Sequence, residues 1–346
     1  MTRVEEIYQA LEKRQGERND FNRWLGASMI GHPCRRFVSL SFRCAYYNAF
    51  KGQTLRIFEN GNKAEDRIVA DLEVTGKIKV LERQKQLNME GGLGHAGVTL
   101  DGIVFEDGMY SVLEMKTMNS KGFKELTSKG VLQAKRQHYC QMQFGMLVTG
   151  LMSAVYVAEN KDTQELHLEY VPYNYDAAEM LAALARAVLA GTEQTRCNEN
   201  PEWYECKWCA AHSVCHGNAF PRAHCLTCCH STPVDGGKWT CAKWSAEIPK
   251  ENLPVGCAEH IYIPWMINLP VDGWGEYWVT YKLPNGGRLC NTTGQSFPTV
   301  DNGPSPIIAN SKTIESYGTV PALIAKAPPA TKFADPLATD PEGLPY

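Results

Sequence analysis

Residues 100–117 read LDGIVFEDGMYSVLEMKT, with two largely apolar runs on either side of Asp107-Gly108. Asp-Gly between such runs is a strong signal for a hairpin with a two-residue type I′ turn. In a two-residue hairpin the numbers of paired residues keep a constant sum, so Asp101 falls opposite Glu114. The stretch therefore predicts an antiparallel hairpin that carries two facing acids.

Two acids in this arrangement need a compensating charge. Directly paired side chains have Cβ atoms roughly 4.5–5.5 Å apart, and like charges there are destabilising. Lys116 lies two residues beyond Glu114 and hence on the same face. A divalent cation between Asp101 and Glu114, with Lys116 beside it, would suit phosphodiester cleavage. The alternative is a wet sheet edge at which Lys116 simply pairs with Glu114, since a one-residue register change moves one acid to the other face.

Length and composition limit the class of protein. A chain of 346 residues can form one core of roughly 200 residues and a smaller unit. Its net charge of −3 and pI near 6.3 mean that any nucleic-acid site is a local basic patch. No window approaches ~18 apolar residues, and the N-terminus lacks a signal peptide, so we expect a cytosolic protein without membrane contact. In that compartment, thirteen cysteines favour metal binding over disulfides.

A third acid is expected on a helix ahead of the hairpin. Over residues 54–73 the apolar spacing is helical, and one stripe contains Ile57, Ile68 and Leu72 with Gly61 and Glu65 between them. A carboxylate on the core side of a helix is costly without a partner. Glu65 is therefore a candidate ligand for the same cation.

The elements after the hairpin complete an α/β unit. Residues 133–149 predict a helix with Gln137 and Gln141 one turn apart. The other predicted elements are strands at 152–158 and 165–171 and a helix at 175–189.

Cysteine-rich sequence follows. Cys206, Cys209 and Cys215 have x2 and x5 spacing, which gives three ligands of a metal site and requires a fourth from elsewhere. A second set follows within residues 221–300, where four of five side chains could close a tetrahedral zinc site: Cys225, Cys228, Cys241, Cys257 and His260. Cys229, His224 and His230 are substitute ligands. Residues 301–346 are rich in proline and small residues, and we expect a poorly ordered tail.

These motifs, taken in order, resemble a known family. Gly61-x3-Glu65, Asp101, Glu114-x-Lys116 and the glutamine helix resemble the PD-(D/E)xK nucleases of the RecB type that carry an iron-sulfur cluster, and the lambda-type phage exonucleases. The resemblance covers about residues 25–220. It implies an α/β restriction-endonuclease-like core over residues 1–220, with a central mixed sheet flanked by helices and followed by the zinc module.

The resemblance also implies roles for the site residues. Asp101 and Glu114 would hold one or two Mg²⁺ or Mn²⁺ ions, with Glu65 joining directly or through water. Lys116 would orient the attacking water or stabilise its developing charge. Gln141 would position Lys116 or the DNA backbone.

Two details of the glutamine helix differ from a simple match. Gln137 is the second choice for the motif glutamine. Gly145 stands where many relatives have tyrosine, which puts the assignment of substrate contacts in doubt.

Cluster-bearing relatives use one cysteine ahead of the core and three behind it. By that pattern Cys34, Cys206, Cys209 and Cys215 would hold a [4Fe-4S] cluster that closes a long loop. Zinc is the alternative metal for four thiolates. Cys197 is the local alternative for the fourth ligand.

The function expected from the resemblance is a metal-dependent DNA exonuclease of recombination or repair, in a bacterial cytosol and encoded by a phage. Its partners would be DNA and a single-strand annealing or other recombination protein, and the oligomeric state is left open. The alternatives are a non-catalytic iron-sulfur and zinc scaffold that binds DNA, and a redox protein. A redox protein would leave the hairpin acids unexplained.

Overall fold

The computed structural model describes residues 2–17, 24–47, 50–89, 91, 93–294 and 306–327. The chain forms two compact units, each built from several segments. The first unit comprises residues 1–38, 48–192 and 234–237, and the second comprises residues 39–47, 193–233 and 238–346.

The first part of the chain contains both helices and strands. In order they are α1 (Arg3–Glu17), β1 (Leu25–Gly26), α2 (Ala27–Ile30), α3 (Arg35–Phe42), α4 (Gly52–Glu73), β2 (Lys79–Leu81), β3 (Gln86–Asn88), β4 (Ala96–Thr99), β5 (Gly102–Glu106), β6 (Met109–Met118), α5 (Ser120–Lys129), α6 (Val131–Ala134), α7 (Arg136–Thr149), β7 (Ser153–Asn160), β8 (Leu166–Pro172) and α8 (Tyr175–Leu189).

The predicted hairpin is formed by β5 and β6. Asp107 and Gly108 have φ values of 49° and 80°, both positive as a type I′ turn requires. Gly108 adopts this conformation at little cost because it has no Cβ. Ile103 lies opposite Val112, so the predicted register is confirmed.

The main sheet of the first unit has the strand order β2-β5-β6-β7-β8. Strands β6 and β7 are parallel, whereas the other neighbouring pairs are antiparallel. Parallel neighbours need a long crossover connection, and α5, α6 and α7 provide it. The mixed α/β architecture that the sequence predicts is therefore confirmed for this unit.

The two faces of the sheet have different coverings. Leu113 and Met115 of β6 point to one face, where they pack with Ile68 of α4 and neighbouring apolar residues. Because successive side chains of a strand alternate, Glu114 and Lys116 point to the opposite face. Helix α7 contacts β6 there. The pair Glu114 and Lys116 is thus separated from the apolar core beneath α4.

Helix α7 approaches the sheet at Gly145. This glycine is buried. A Cβ placed on it would lie 3.5 Å from the Val112 side chain and 3.8 Å from that of Val98. These are ordinary van der Waals distances, so α7 packs closely on the sheet at this position.

The second unit contains short helices and two small sheets. Its elements are α9 (Tyr204–Lys207), α10 (His212–Cys215), β9 (Ser231–Val234), β10 (Lys238–Cys241), β11 (Ala246–Glu247), β12 (Val271–Gly275), β13 (Trp278–Lys282), β14 (Arg288–Thr292), β15 (Ile307–Ala309), α11 (Ser311–Tyr317) and α12 (Val320–Lys326). The sheets have the orders β11-β10-β9 and β12-β13-β14-β15. Tyr262, Tyr281 and Leu289 are among the fully buried residues of its core.

The organisation of the chain differs from the sequence-based boundaries in two respects. Residues 193–220 and 39–47 belong to the second unit, so the predicted domain at 1–220 is not one compact body. The segment expected to be a poorly ordered tail contains β15, α11 and α12, and β15 pairs with β14. Residues 301–305 and 328–346 of that segment lie outside the described residues.

Within the part of the chain that the structure describes, no helix is both long enough and apolar enough to cross a membrane.

Candidate active site

Strand β6 carries the centre of the site. Glu114 is only 4% exposed, and its Oε1 atom forms an ion pair with Lys116 Nζ. Across the parallel strand, Glu114 lies beside Tyr156 and Lys116 lies beside Ala158. The strand thus fixes a buried carboxylate and a mostly buried ammonium on one face, at the edge where β6 leads into α5.

Asp101 reaches the same place from the residue before β5. The backbone N–H of Met115 donates a hydrogen bond to Asp101 Oδ2 over 2.8 Å. The same oxygen lies 3.9 Å from Lys116 Nζ. Asp101 and Glu114 therefore both lie within 4 Å of one ammonium group. This is the juxtaposition that the hairpin register predicts.

Glu65 approaches from α4. Its Oε2 atom accepts a hydrogen bond from Gln84 Nε2 over 2.9 Å. Burial raises the pKa of Glu65, Asp101 raises it further, and Lys116 acts in the opposite direction. These influences put the Glu65 carboxyl within electrostatic reach of the Asp101 and Lys116 side chains. Glu65 thus adds a third carboxyl group to the electrostatic surroundings of Lys116.

The protonation of Glu114 reflects this crowding. Burial raises the pKa of Glu114 to about 7, Lys116 opposes the rise, and Asp101 and Glu65 add to it. For Lys116, burial acts to lower the pKa, but Glu114 and Asp101 outweigh it and the pKa is raised. The lysine stays charged. It does not fully compensate the buried Glu114 carboxylate, so a further positive charge would stabilise the ionised form of Glu114.

A divalent cation would supply that positive charge. Carboxylate oxygens are the ligands that Mg²⁺ and Mn²⁺ prefer, so the donor set of Glu65, Asp101 and Glu114 fits such an ion. Among the described residues, however, no three His, Cys, Asp or Glu side chains converge in a ligand geometry. Glu114 is bound to Lys116 instead, and it would have to exchange that contact for the metal.

The raised pKa of Glu114 predicts a pH-dependent stability in the metal-free protein. The folded-state pKa of about 7 lies above the ordinary value of 4.5, so this group stabilises the fold fully below about pH 4.5. The contribution is lost as the pH rises through 7, and it amounts to on the order of 3 kcal/mol. Denaturant unfolding at pH 5 and pH 8 should show this loss in the wild type and not in Glu114→Gln. Parallel pH curves for the two proteins would contradict the assignment.

The structure adds a residue that the sequence did not indicate. His138 of α7 has its Nδ1 atom 2.7 Å from the hydroxyl of Tyr156, the buried neighbour of Glu114. Burial lowers the pKa of His138 to about 4, and Lys116 and Lys135 lower it further. A neutral imidazole therefore lies within electrostatic reach of Lys116. Only the packing of α7 on β7 reveals it, because no motif pairs residues 138 and 156.

The two candidate glutamines have different surroundings. The side-chain amide of Gln137 donates a hydrogen bond to the Ser28 carbonyl over 2.8 Å. Gln141 follows His138 by three residues on α7, which puts the two side chains on neighbouring positions of one helix face. This arrangement favours Gln141 as the glutamine of the site, and its role stays a prediction.

The cysteines of the predicted cluster are divided between the units. Cys34 belongs to the first unit, where it is buried, and Cys206, Cys209 and Cys215 belong to the second. The Sγ atoms of Cys197 and Cys206 are 3.9 Å apart. The four-cysteine cluster stays a prediction, and the local alternative Cys197 lies next to one of its members.

The predicted zinc ligands all lie in the second unit. One small cavity is lined by all five predicted ligands and by His230. The five are Cys225, Cys228, Cys241, Cys257 and His260. The substitute candidates Cys229 and His224 do not line it.

Comparisons with known proteins do not identify a family for this chain. No family model matches the chain, and no curated protein matches it significantly. An alkaline exonuclease (LHK-Exo) from Laribacter hongkongensis has 18% identity and a TM-score of 0.40, covering 54% of this chain and 91% of its own. The structure of LHK-Exo in complex with dAMP has 16% sequence identity and a TM-score of 0.39, and the match covers 54% of this chain and 91% of its own. The structure of SSO0001 has 15% sequence identity and a TM-score of 0.40, and the match covers 61% of this chain and 95% of its own.

Proposed function

We propose that the chain is a Mg²⁺- or Mn²⁺-dependent DNA exonuclease of the PD-(D/E)xK type. The observation that carries the proposal is the position of Asp101 and Glu114, both within 4 Å of Lys116 Nζ on one sheet face. A scaffold protein would gain nothing from burying two acids against a lysine, because such a site costs stability. A hydrolytic site needs this set, since it must hold a cation and a charged donor beside the phosphate.

Each side chain has a defined task in this proposal. Asp101 and Glu114 hold the cation, which when bound supplies Lewis-acid stabilisation of the scissile phosphate. With Glu114 engaged by a cation, Lys116 would be free of its ion pair with that carboxylate. Its ammonium then orients the attacking water and stabilises the developing negative charge. Gln141 holds Lys116 or the DNA backbone in place.

DNA would need a local basic surface, since the chain as a whole is slightly acidic. Helix α5 begins two residues after β6 ends, and Lys121 and Lys124 are exposed on it one turn apart. Phosphate contacts by lysine supply most of the sequence-independent affinity for DNA. These two residues are the proposed phosphate contacts next to the site.

Glu65 is proposed to support the same ion, either directly or through water. Glu65→Gln should lower activity by about 10- to 100-fold and raise the Mg²⁺ concentration required, as loss of an outer metal contact does. Asp66→Asn on the same helix is the matched control, because Asp66 is exposed and pairs with Arg83. Metal titration of the cleavage rate measures both. A Glu65→Gln protein with wild-type turnover and metal dependence would remove Glu65 from the site.

The spacing of the cysteines and of His260 in the sequence supports two further cofactors in this proposal. Cys34, Cys206, Cys209 and Cys215 would hold a structural [4Fe-4S] cluster. Four of Cys225, Cys228, Cys241, Cys257 and His260 would hold Zn²⁺. Both would leave the hydrolytic chemistry to the carboxylates, because thiolate sites are soft and closed.

The biological setting follows the family resemblance alone. A DNA exonuclease of this type would serve recombination or repair, encoded by a phage, with a single-strand annealing protein as a candidate partner. No feature of the described residues favours a second function.

The test is the product pattern of the full-length protein on linear DNA. An exonuclease releases mononucleotides from one labelled end first, whereas an endonuclease gives internal fragments. Substrates labelled at the 5′ or the 3′ end, in single- and double-stranded form and with an RNA of the same sequence, establish polarity and substrate. DNA binding without cleavage in any metal would support the scaffold alternative.

A further inference from the structure

We infer that a zinc ion in the second unit is bound by four thiolates, those of Cys225, Cys228, Cys241 and Cys257, and that His260 is a neighbour of the site and not a ligand. This inference does not depend on the proposed nuclease activity, because all five residues lie outside the first unit.

The first observation is one small cavity that all four cysteines line. Its volume is about 20 Å³. A single water needs roughly 10–15 Å³ by this kind of measure, so the space suits one ion and not an iron-sulfur cube. A cavity of this size lined by thiols matches a tetrahedral zinc site in size and donor chemistry.

The second observation is the donor chemistry of the cavity. Its lining includes four cysteines, and none of the four is in a disulfide. A cysteine binds zinc as the thiolate, and the bound cation supplies the positive charge that allows the thiol to lose its proton.

The local backbone is also suited to the ion. Cys225 and Cys228 bracket a tight turn in which the Cys228 N–H donates to the Cys225 carbonyl over 3.1 Å.

The four cysteines come from three segments that backbone hydrogen bonds hold together. The N–H of Ala242, next to Cys241, donates to the His230 carbonyl over 2.8 Å, and the Cys225 N–H donates to the Leu253 carbonyl over 3.1 Å. The described side chains do not converge in a ligand geometry, so binding an ion requires the sulfurs to move together.

One ring nitrogen of His260 is engaged elsewhere. His260 is 2% exposed, its Nε2 atom lies 3.2 Å from Thr227 Oγ1, and its ring packs edge-on against Tyr262. Its Nδ1 atom is buried without a hydrogen-bond partner among the described residues, and in our assignment it donates an N–H to a thiolate instead of binding the ion. Lys243 also lines the cavity, but its ammonium is paired with Glu259.

The test uses full-length protein purified without added metal, with zinc content and zinc-edge X-ray absorption as readouts. The inference predicts one Zn²⁺ per chain with four sulfurs at about 2.3 Å and no nitrogen at the 2.0–2.1 Å typical of histidine. The absorption edge is specific for zinc, so iron elsewhere in the chain does not interfere.

Three variants complete the test. Cys257→Ser should reduce bound zinc at least tenfold under competition with a chelator. His260→Asn should keep the full zinc content and the four-sulfur spectrum. Cys229→Ser is the matched control, since Cys229 adjoins Cys228 but does not line the cavity, and it should retain zinc. A spectrum with three sulfurs and one nitrogen, lost in His260→Asn, would overturn the assignment, and so would protein that contains no zinc.

Discussion

Replacing Asp101 by Asn, Glu114 by Gln or Lys116 by Ala is expected to reduce DNA cleavage by on the order of 10³-fold each while DNA binding is retained. Loss of one charged group that stabilises a transition state costs about this much. The expected losses are similar because the three side chains meet within 4 Å and act as one unit. Single-turnover cleavage and a separate binding titration measure the two properties.

A matched control lies on the same hairpin. Glu106 is at the opposite end of β5, where its carboxylate accepts a hydrogen bond from the hydroxyl of Tyr170. Glu106→Gln should cleave DNA as the wild type does. Full activity in any of the three site variants would contradict the assigned site, whereas equal loss in Glu106→Gln would indicate damage to the fold.

The second large effect is expected from the cluster cysteines. Cys34→Ala should lose bound iron, brown colour and solubility together, because a cluster that joins distant segments of the chain stabilises the folded state. Iron content, the absorption spectrum and the soluble fraction of anaerobically purified protein measure this.

Cys197→Ala is the discriminating control. Its Sγ atom lies 3.9 Å from that of Cys206, so it is the nearest local substitute for Cys34. The prediction is that Cys197→Ala keeps both iron and solubility. Iron loss in Cys197→Ala with retention in Cys34→Ala would move the fourth ligand to Cys197, and colourless protein with zinc alone would contradict the cluster.

The hairpin was predictable because turn chemistry and strand alternation are local properties. Asp107-Gly108 determined the register of β5 and β6, and this register brought Asp101 close to Lys116. Helix α4 was predictable as an element, and Ile68 and Leu72 of its predicted stripe are buried, whereas Ile57 is 55% exposed. The difference arises because apolar spacing identifies a helix, while its buried face depends on what packs against it.

Features that depend on distant contacts could not be predicted. His138 joins the surroundings of the site only because α7 packs over β7 and meets Tyr156. The proline-rich C-terminal segment suggested disorder, yet Pro321 stands in the first turn of α12, where a helix tolerates proline. Strand β15 forms by pairing with β14, and no pattern within residues 307–309 indicates that partner.

Asp101 and Glu114 are proposed to hold a divalent cation that DNA hydrolysis requires. The most direct measurement is release of nucleotides from end-labelled linear DNA by the full-length protein in Mg²⁺, after chelation of Mg²⁺, and by Glu114→Gln in Mg²⁺. Nucleotide release is expected only from the wild type in the presence of Mg²⁺. Release that persists in the chelator, or in Glu114→Gln at the wild-type rate, would contradict it.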